Sequence, residues 1–168
     1  MKNFSLFVLS LLLMTACISE SREDLLATPA NPATPINDLT NATIWLGSNI
    51  TFAKAAGADP QQAVNQDRLT DNVWITRGNN GGEIYNARQE NSFSKGSSPV
   101  GTEWAVGSIN DAANLTFQPF RAAVGSPQSA TGKDLVLHLI QDDIYLSVKF
   151  TFWGSGKNGR FTYERSTP

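Results

Sequence analysis

The chain has a single histidine, His138, as a candidate for metal binding or general-base catalysis. It lies between Leu137 and Leu139 in an apolar run, which favours burial inside a β-sheet. A catalytic triad or a histidine metal centre would need the imidazole to reach several partners. We therefore predict that His138 is a hydrogen-bonded histidine of the sheet and has no catalytic role.

Asp142 and Asp143 follow this run and are the candidates for a metal site. Ca²⁺ prefers several oxygen ligands, and Asp71 or Glu103 could supply further carboxylates. Adjacent aspartates also accept hydrogen bonds from backbone N–H groups in turns, and the sequence has no EF-hand loop. We expect a hairpin turn here and no cofactor, with Ca²⁺ binding as the less favoured alternative.

Aromatic and amide side chains give a third chemical possibility, a surface that stacks on sugar rings. Trp74 alternates with Val73 and Ile75, so it can face solvent while its neighbours are buried. The loop from Arg77 to Glu83 is glycine-rich but lacks the Gly-Lys-Ser/Thr ending of a phosphate loop. Burial in the core is the more common outcome for each tryptophan. The candidate ligand-binding residues are Trp74, Arg77, Asn79, Asn80, Tyr85, Trp104 and Trp153.

The first 16 residues have the layout of a bacterial export signal. Lys2 precedes an apolar run that is too short to remain as a transmembrane helix, and small residues follow it. Met14-Thr15-Ala16-Cys17 resembles the lipobox of bacterial lipoproteins, with Met14 where that family prefers Leu. The resemblance implies that Cys17, the only cysteine, carries the lipid. A lipidated Cys17 would leave no thiol for a disulfide or for catalysis.

Residues 17–38 are predicted to be a flexible linker between the lipid and a folded head. Prolines at 29, 32 and 35 remove backbone donors and favour extended conformations. Acidic residues soon after Cys17 are similar to surface-export signals of some Gram-negative groups. We expect a lipid-anchored protein of the cell envelope, attached to the outer membrane and displayed at the surface.

Residues 39–168 are predicted to form one all-β domain, an antiparallel β-sandwich of the jelly-roll or immunoglobulin-like kind. Short apolar or alternating runs are separated by Gly, Asn, Asp and Ser, which is typical of strands and turns. In residues 144–152 apolar and polar residues alternate as in a strand with one buried face. Residues 59–68 are the one segment expected to hold a short helix. Strands are predicted at 43–46, 49–54, 73–77, 83–85, 103–106, 115–120, 135–141, 144–153 and 160–164.

Several strings of this domain together resemble an uncharacterised all-β module of bacterial secreted and surface proteins. The strings are NQDRLTDNVWITRGN at 65–79, GTEWA at 101–105, LHLIQDDIYLSVKF at 137–150 and FTYERSTP at 161–168. The resemblance implies export and a single domain, and it transfers no activity or binding residue.

The formal net charge of −2, with scattered Lys and Arg, argues against a nucleic-acid partner. We expect a membrane partner, through the lipid on Cys17, and a non-catalytic head that binds or displays a ligand, with carbohydrate as the leading class. One alternative is a carbohydrate-active hydrolase, for which no spacing selects a pair of carboxylates. The other is a structural or adhesive module that binds another envelope protein.

Overall fold

The computed structural model describes residues 37–168, and Cys17, the export signal and most of the predicted linker lie outside them. The strands are β1 (Thr43–Trp45), β2 (Ile50–Lys54), β3 (Asp67–Arg68), β4 (Trp74–Arg77), β5 (Ile84–Asn86), β6 (Thr102–Val106), β7 (Asp134–Leu139), β8 (Ile144–Trp153) and β9 (Phe161–Arg165). A short helix, α1, spans Phe120–Val124, and 3₁₀ turns span Ala63–Asn65, Ile109–Asn114 and Pro127–Ala130. None of the described helices is both long and apolar enough to cross a membrane.

The strands form two open sheets, which confirms the prediction of an all-β sandwich. The large sheet has the order β2-β9-β8-β7-β6, with antiparallel neighbours. In the same sheet β1 runs parallel to the first residues of β8. The small sheet is the antiparallel set β3-β4-β5. The last three strands form the expected meander, with the predicted turn at Asp142 and Asp143.

The core lies between the two sheets and is closed at one side by α1. Ile75 and Ile84 of the small sheet pack in one cluster with Leu137 and Phe150 of the large sheet. Phe120 of α1 is fully buried in the same cluster. Burial of these apolar side chains is the main force that holds the sheets together.

Two local predictions were wrong. Residues 115–120 do not form a strand: they contribute one isolated bridge from Gln118 to Trp104, and α1 begins at Phe120. Pro119 explains the difference, because it has no N–H to donate to a strand and suits the start of a helix. The expected helix at residues 59–68 is only a 3₁₀ turn, after which the chain enters β3.

The alternation of β8 also ends one residue earlier than predicted. A register shift between Phe150 and Phe152 leaves Phe152 facing solvent and turns Trp153 into the core. A β-bulge of this kind places two residues of one strand opposite one of its partner, which re-aims the side chains that follow.

A buried polar network joins the two sheets. Asp67 of β3 accepts hydrogen bonds from Nε of Arg165 at 2.7 Å and from Nη2 of Arg165 at 3.0 Å. The hydroxyl of Tyr163 donates to the same carboxylate at 2.7 Å. Burial, followed by the charge of Asp67, raises the pKa of Tyr163 well above its usual value. The hydroxyl therefore stays protonated and remains a donor to Asp67.

We expect Asp67→Asn to lower the free energy of unfolding by about 3–5 kcal/mol, because it leaves the buried guanidinium of Arg165 without a counter-ion. Asp134→Asn is the matched control, since Asp134 pairs with Lys149 at the surface. Its expected cost is below about 1 kcal/mol. Urea unfolding of both variants measures the difference, and equal small losses would contradict the role given to Asp67.

Candidate functional site

The outer face of the small sheet brings together several of the predicted ligand-binding residues. Arg68 pairs with Trp74, and Thr76 pairs with Tyr85. Directly paired residues lie on the same side of a sheet, and side chains alternate along each strand. Arg68, Trp74, Thr76 and Tyr85 therefore share the face that points away from the core.

A pocket of about 250 Å³ lies on this face at the tip of the β4–β5 hairpin, and we call it the hairpin pocket. Its polar lining comes from Asn79, Asn80, Asn91 and Ser92. Its apolar lining comes from Pro60, Tyr85 and Phe93, with Gly78 and Gly81 completing the wall. Amides, a hydroxyl and aromatic rings can together recognise a small polar ligand.

Two consecutive glycines lie at the hairpin pocket, Gly81 in its lining and Gly82 against the ring of Phe93. Gly81 and Gly82 have φ values of +90° and +86°, a region that residues with a Cβ rarely adopt. The ring of Phe93 lies directly against Gly82, so closely that a Cβ there would overlap it. The glycine pair therefore lets Phe93 fold back over the hairpin.

Asn79 is held from behind the pocket, and Tyr85 is buried beside it. Asn79 accepts a hydrogen bond from the buried Nζ of Lys54 at 2.9 Å and donates to the backbone of Ala58 at 3.0 Å. Burial and then the charge of Arg77 lower the pKa of Lys54. Burial, followed by the charges of Asp59 and Glu90, raises the pKa of Tyr85. Within residues 37–168, by contrast, the side chain of exposed Asn80 makes no hydrogen bond and can turn to a ligand.

Trp74 is the tryptophan with the most accessible ring. It is half-buried, and its Nε1 donates to the backbone oxygen of Thr70 at 3.1 Å. The guanidinium carbon of Arg68 lies 4.1 Å from the ring centroid, and that of Arg88 lies 5.5 Å from it. Both distances are within the range of a cation–π interaction.

Four of the sequence candidates are buried. Tyr85 is only 1% exposed although it lines the hairpin pocket, and the other three are Trp104, Trp153 and Arg77. Trp104 is fully buried, and its Nε1 donates to Thr102 at 3.0 Å. Trp153 packs against core aromatic rings and against Arg77, whose guanidinium carbon is 4.3 Å from the ring centroid. Arg77 is itself buried and donates to the backbone oxygens of Gly154 and Arg160. These contacts give the three residues a role in packing, and none of them lines the hairpin pocket.

The candidate metal ligands Asp142 and Asp143 are engaged within the protein. Asp142 accepts hydrogen bonds from Thr70 at 2.6 Å and from Asn72 at 2.7 Å, which ties the β7–β8 turn to the β3–β4 turn. Asp143 faces Nε2 of His138 at 3.2 Å. No group of three potential metal ligands occurs among residues 37–168.

His138 lies in the sheet and is hydrogen-bonded, as predicted. Its Nδ1 is 2.8 Å from Glu103, and its ring stacks on Tyr145 with a centroid distance of 4.0 Å. Glu103 and Asp143 therefore approach opposite nitrogens of one imidazole. A glycosidase needs its two carboxylates to face a cleft that holds the sugar. Here the imidazole fills the space between Glu103 and Asp143.

The loop after β5 contributes pocket residues that the sequence analysis did not select. Asn91, Ser92 and Phe93 follow the strand that carries Tyr85, and Phe93 returns over Gly82. The one available signal was local: a phenylalanine in a polar stretch close to a pair of glycines. The fold was needed to show that this loop returns to the hairpin tip.

Comparison of the chain with protein-family models, with curated proteins and with solved structures found no match.

Gly82→Ala should destabilise the protein more than Gly57→Ala. Both glycines have positive φ, so each substitution carries a backbone cost of about 1–2 kcal/mol. A Cβ at Gly57 would meet nothing within 4 Å, whereas one at Gly82 would overlap Phe93. Urea unfolding gives the free energy of unfolding of both variants, and the difference between their losses is the cost of displacing Phe93. Equal losses would show that the ring moves away without cost.

Proposed function

We propose that the protein is an exported, lipid-anchored binding protein of the bacterial cell envelope. Its β-sandwich head binds carbohydrate in the hairpin pocket and has no catalytic role. The observation that carries the proposal is the composition of this pocket, in which the exposed side chains of Asn80, Asn91 and Ser92 line the wall together with the half-buried ring of Phe93.

The chemistry of the hairpin pocket matches both the apolar face and the polar edge of a sugar ring. Aromatic faces pack against C–H groups, and the edges of the ring carry hydroxyls that both donate and accept hydrogen bonds. An amide side chain can donate to such a hydroxyl through its NH₂ group or accept from it through its oxygen. At about 250 Å³ the pocket is smaller than the roughly 300–1,000 Å³ of sites for larger ligands. A single sugar residue, such as the end of a chain, is the size of ligand that we propose.

The proposed tether rests on residues 1–38. A lipid on Cys17 would bring the membrane as partner, because acyl chains contribute about 0.8 kcal/mol per buried CH₂ group. The proline-spaced segment behind Cys17 would hold the head away from the lipid surface. A ligand on polysaccharides outside the outer membrane fits this placement.

A glycan array of the purified protein tests the binding proposal. We expect at least one glycan to bind, and Asn80→Ala to weaken that binding about tenfold or more through loss of a hydrogen bond to the sugar. Asn114→Ala is the matched control, because Asn114 is equally exposed and lies in the 3₁₀ turn between β6 and α1. The proposal is overturned if no glycan binds, or if both variants bind as well as the unaltered protein.

A further inference from the structure

Two arginines without acidic partners are held on the ring of Trp74. Arg68 and Arg88 are both exposed, and both guanidinium groups contact the same indole. Neither arginine forms an ion pair with a carboxylate within residues 37–168, whereas other basic residues there do. No carboxylate neutralises either charge within the described residues, so each guanidinium is open to an anionic ligand.

The two guanidinium groups are fixed by further hydrogen bonds. Oε1 of Gln66 accepts from Nε of Arg68 at 3.2 Å and from Nη2 at 3.0 Å. Gln66 is itself buried, and its Nε2 donates to the backbone oxygen of Pro60 at 2.9 Å. Nε of Arg88 donates to the backbone oxygen of Asp71 at 3.2 Å. Arginines ordered in advance lose less side-chain entropy when a ligand binds.

Most of the donor capacity of these arginines remains open. Nη1 of Arg68 and both terminal nitrogens of Arg88 make no hydrogen bond within the part of the chain that the structure describes. The planar fork of a guanidinium matches the oxygens of a carboxylate or sulfate, and such charge-assisted bonds are about twice as strong as neutral ones.

We propose that Arg68, Arg88 and Trp74 form an anion subsite for a carboxylate or sulfate group of the saccharide. The inference rests on the proposed function and names its substrate class, an acidic saccharide. The subsite and the hairpin pocket both belong to the outer side of the small sheet, and Thr76 and Tyr85, which lie between them, are buried.

Charge near the hairpin pocket supports an acidic ligand. The ammonium group of Lys54 and the guanidinium of Arg77 are buried behind it, and the side chain of Lys157 lies beside Gly81. Two acids lie nearby. The charge of Asp59 acts on Lys54 and Tyr85, and Glu90 is occupied by the backbone N–H groups of Asn86 and Val100 and by Ser98.

The test compares pairs of ligands with the same sugar backbone, of which one member carries more negative charge. Oligogalacturonate and its methyl ester form the carboxylate pair, and chondroitin sulfate and desulfated chondroitin form the sulfate pair. Calorimetric titration at low and high salt gives the affinities. We expect the protein to bind the more acidic member of one pair about tenfold or more tightly at low salt, with a smaller preference at high salt.

Arg68→Gln combined with Arg88→Gln should abolish that preference and leave the affinity for the methyl ester of oligogalacturonate, which carries no charge, unchanged. Arg160→Gln is the matched control, because Arg160 is also exposed and its guanidinium carbon lies 4.4 Å from the ring centroid of Phe152. Circular dichroism confirms that each variant is folded.

The outcomes separate the two proposals. Equal binding of both members of each pair, or a preference that survives the double arginine substitution, overturns the anion subsite and leaves the proposed function standing. If no member of either pair binds and the glycan array is also negative, the proposed function fails and the anion subsite fails with it.

Discussion

The hydrogen-bonded ion pair between Asp67 and Arg165 is the interaction on which the arrangement of the two sheets depends. It joins β3 of the small sheet to β9 of the large sheet, across 98 positions of the sequence. Strand β3 has only two residues, and they point to opposite sides. Asp67 enters the core, and Arg68 lies over Trp74 on the outer face. The ion pair that fixes β3 against β9 therefore also sets the position of Arg68 in the proposed anion subsite.

Hydrogen bonds also hold the small sheet in place at both ends of β4. At its start, Asp142 binds the side chains of Thr70 and Asn72 in the β3–β4 turn. At its end, Arg77 binds backbone oxygens in the β8–β9 connection. Polar groups this well satisfied fix one arrangement, because any shift would leave a buried donor or acceptor without a partner. A rigid small sheet offers its ligand a preformed surface, which reduces the entropy lost on binding.

Much of the fold could be predicted from local pattern. The period of two in residues 144–150 and the turn residues Asp142 and Asp143 were enough to place β8 and its hairpin. What could not be predicted depends on partners distant in sequence. The bulge that turns Trp153 inward exists only because β8 pairs with β9. Strand β3 has only two residues, which is too short for an alternation of polar and apolar residues to be recognised. Arg77 was predicted to contact a ligand. Its hydrogen bonds to the backbone oxygens of Gly154 and Arg160 could not be foreseen without the fold.

The candidate site divides in the same way. Trp74 could be selected because it alternates with apolar neighbours, and Asn79, Asn80 and Tyr85 because they lie in or beside the glycine-rich turn. Arg68 and Phe93 could not be selected from the sequence. The position of Arg68 depends on the register of β3, and that of Phe93 depends on a loop that returns over Gly82. The resemblance to a bacterial surface module stays a prediction, yet two of its strings meet in this structure. Asp67 in NQDR bonds to Tyr163 and Arg165 in FTYERS.

Mapping the bound saccharide by amide chemical shifts tests most directly whether the outer face of the small sheet is the ligand-binding surface. The protein would be titrated with oligogalacturonate and with chondroitin sulfate. The account predicts shifts that saturate around Arg68, Trp74, Asn80 and Phe93, while the amides near Glu103 and His138 stay unchanged. Shifts centred on the large sheet, or none at all with either saccharide, would contradict it.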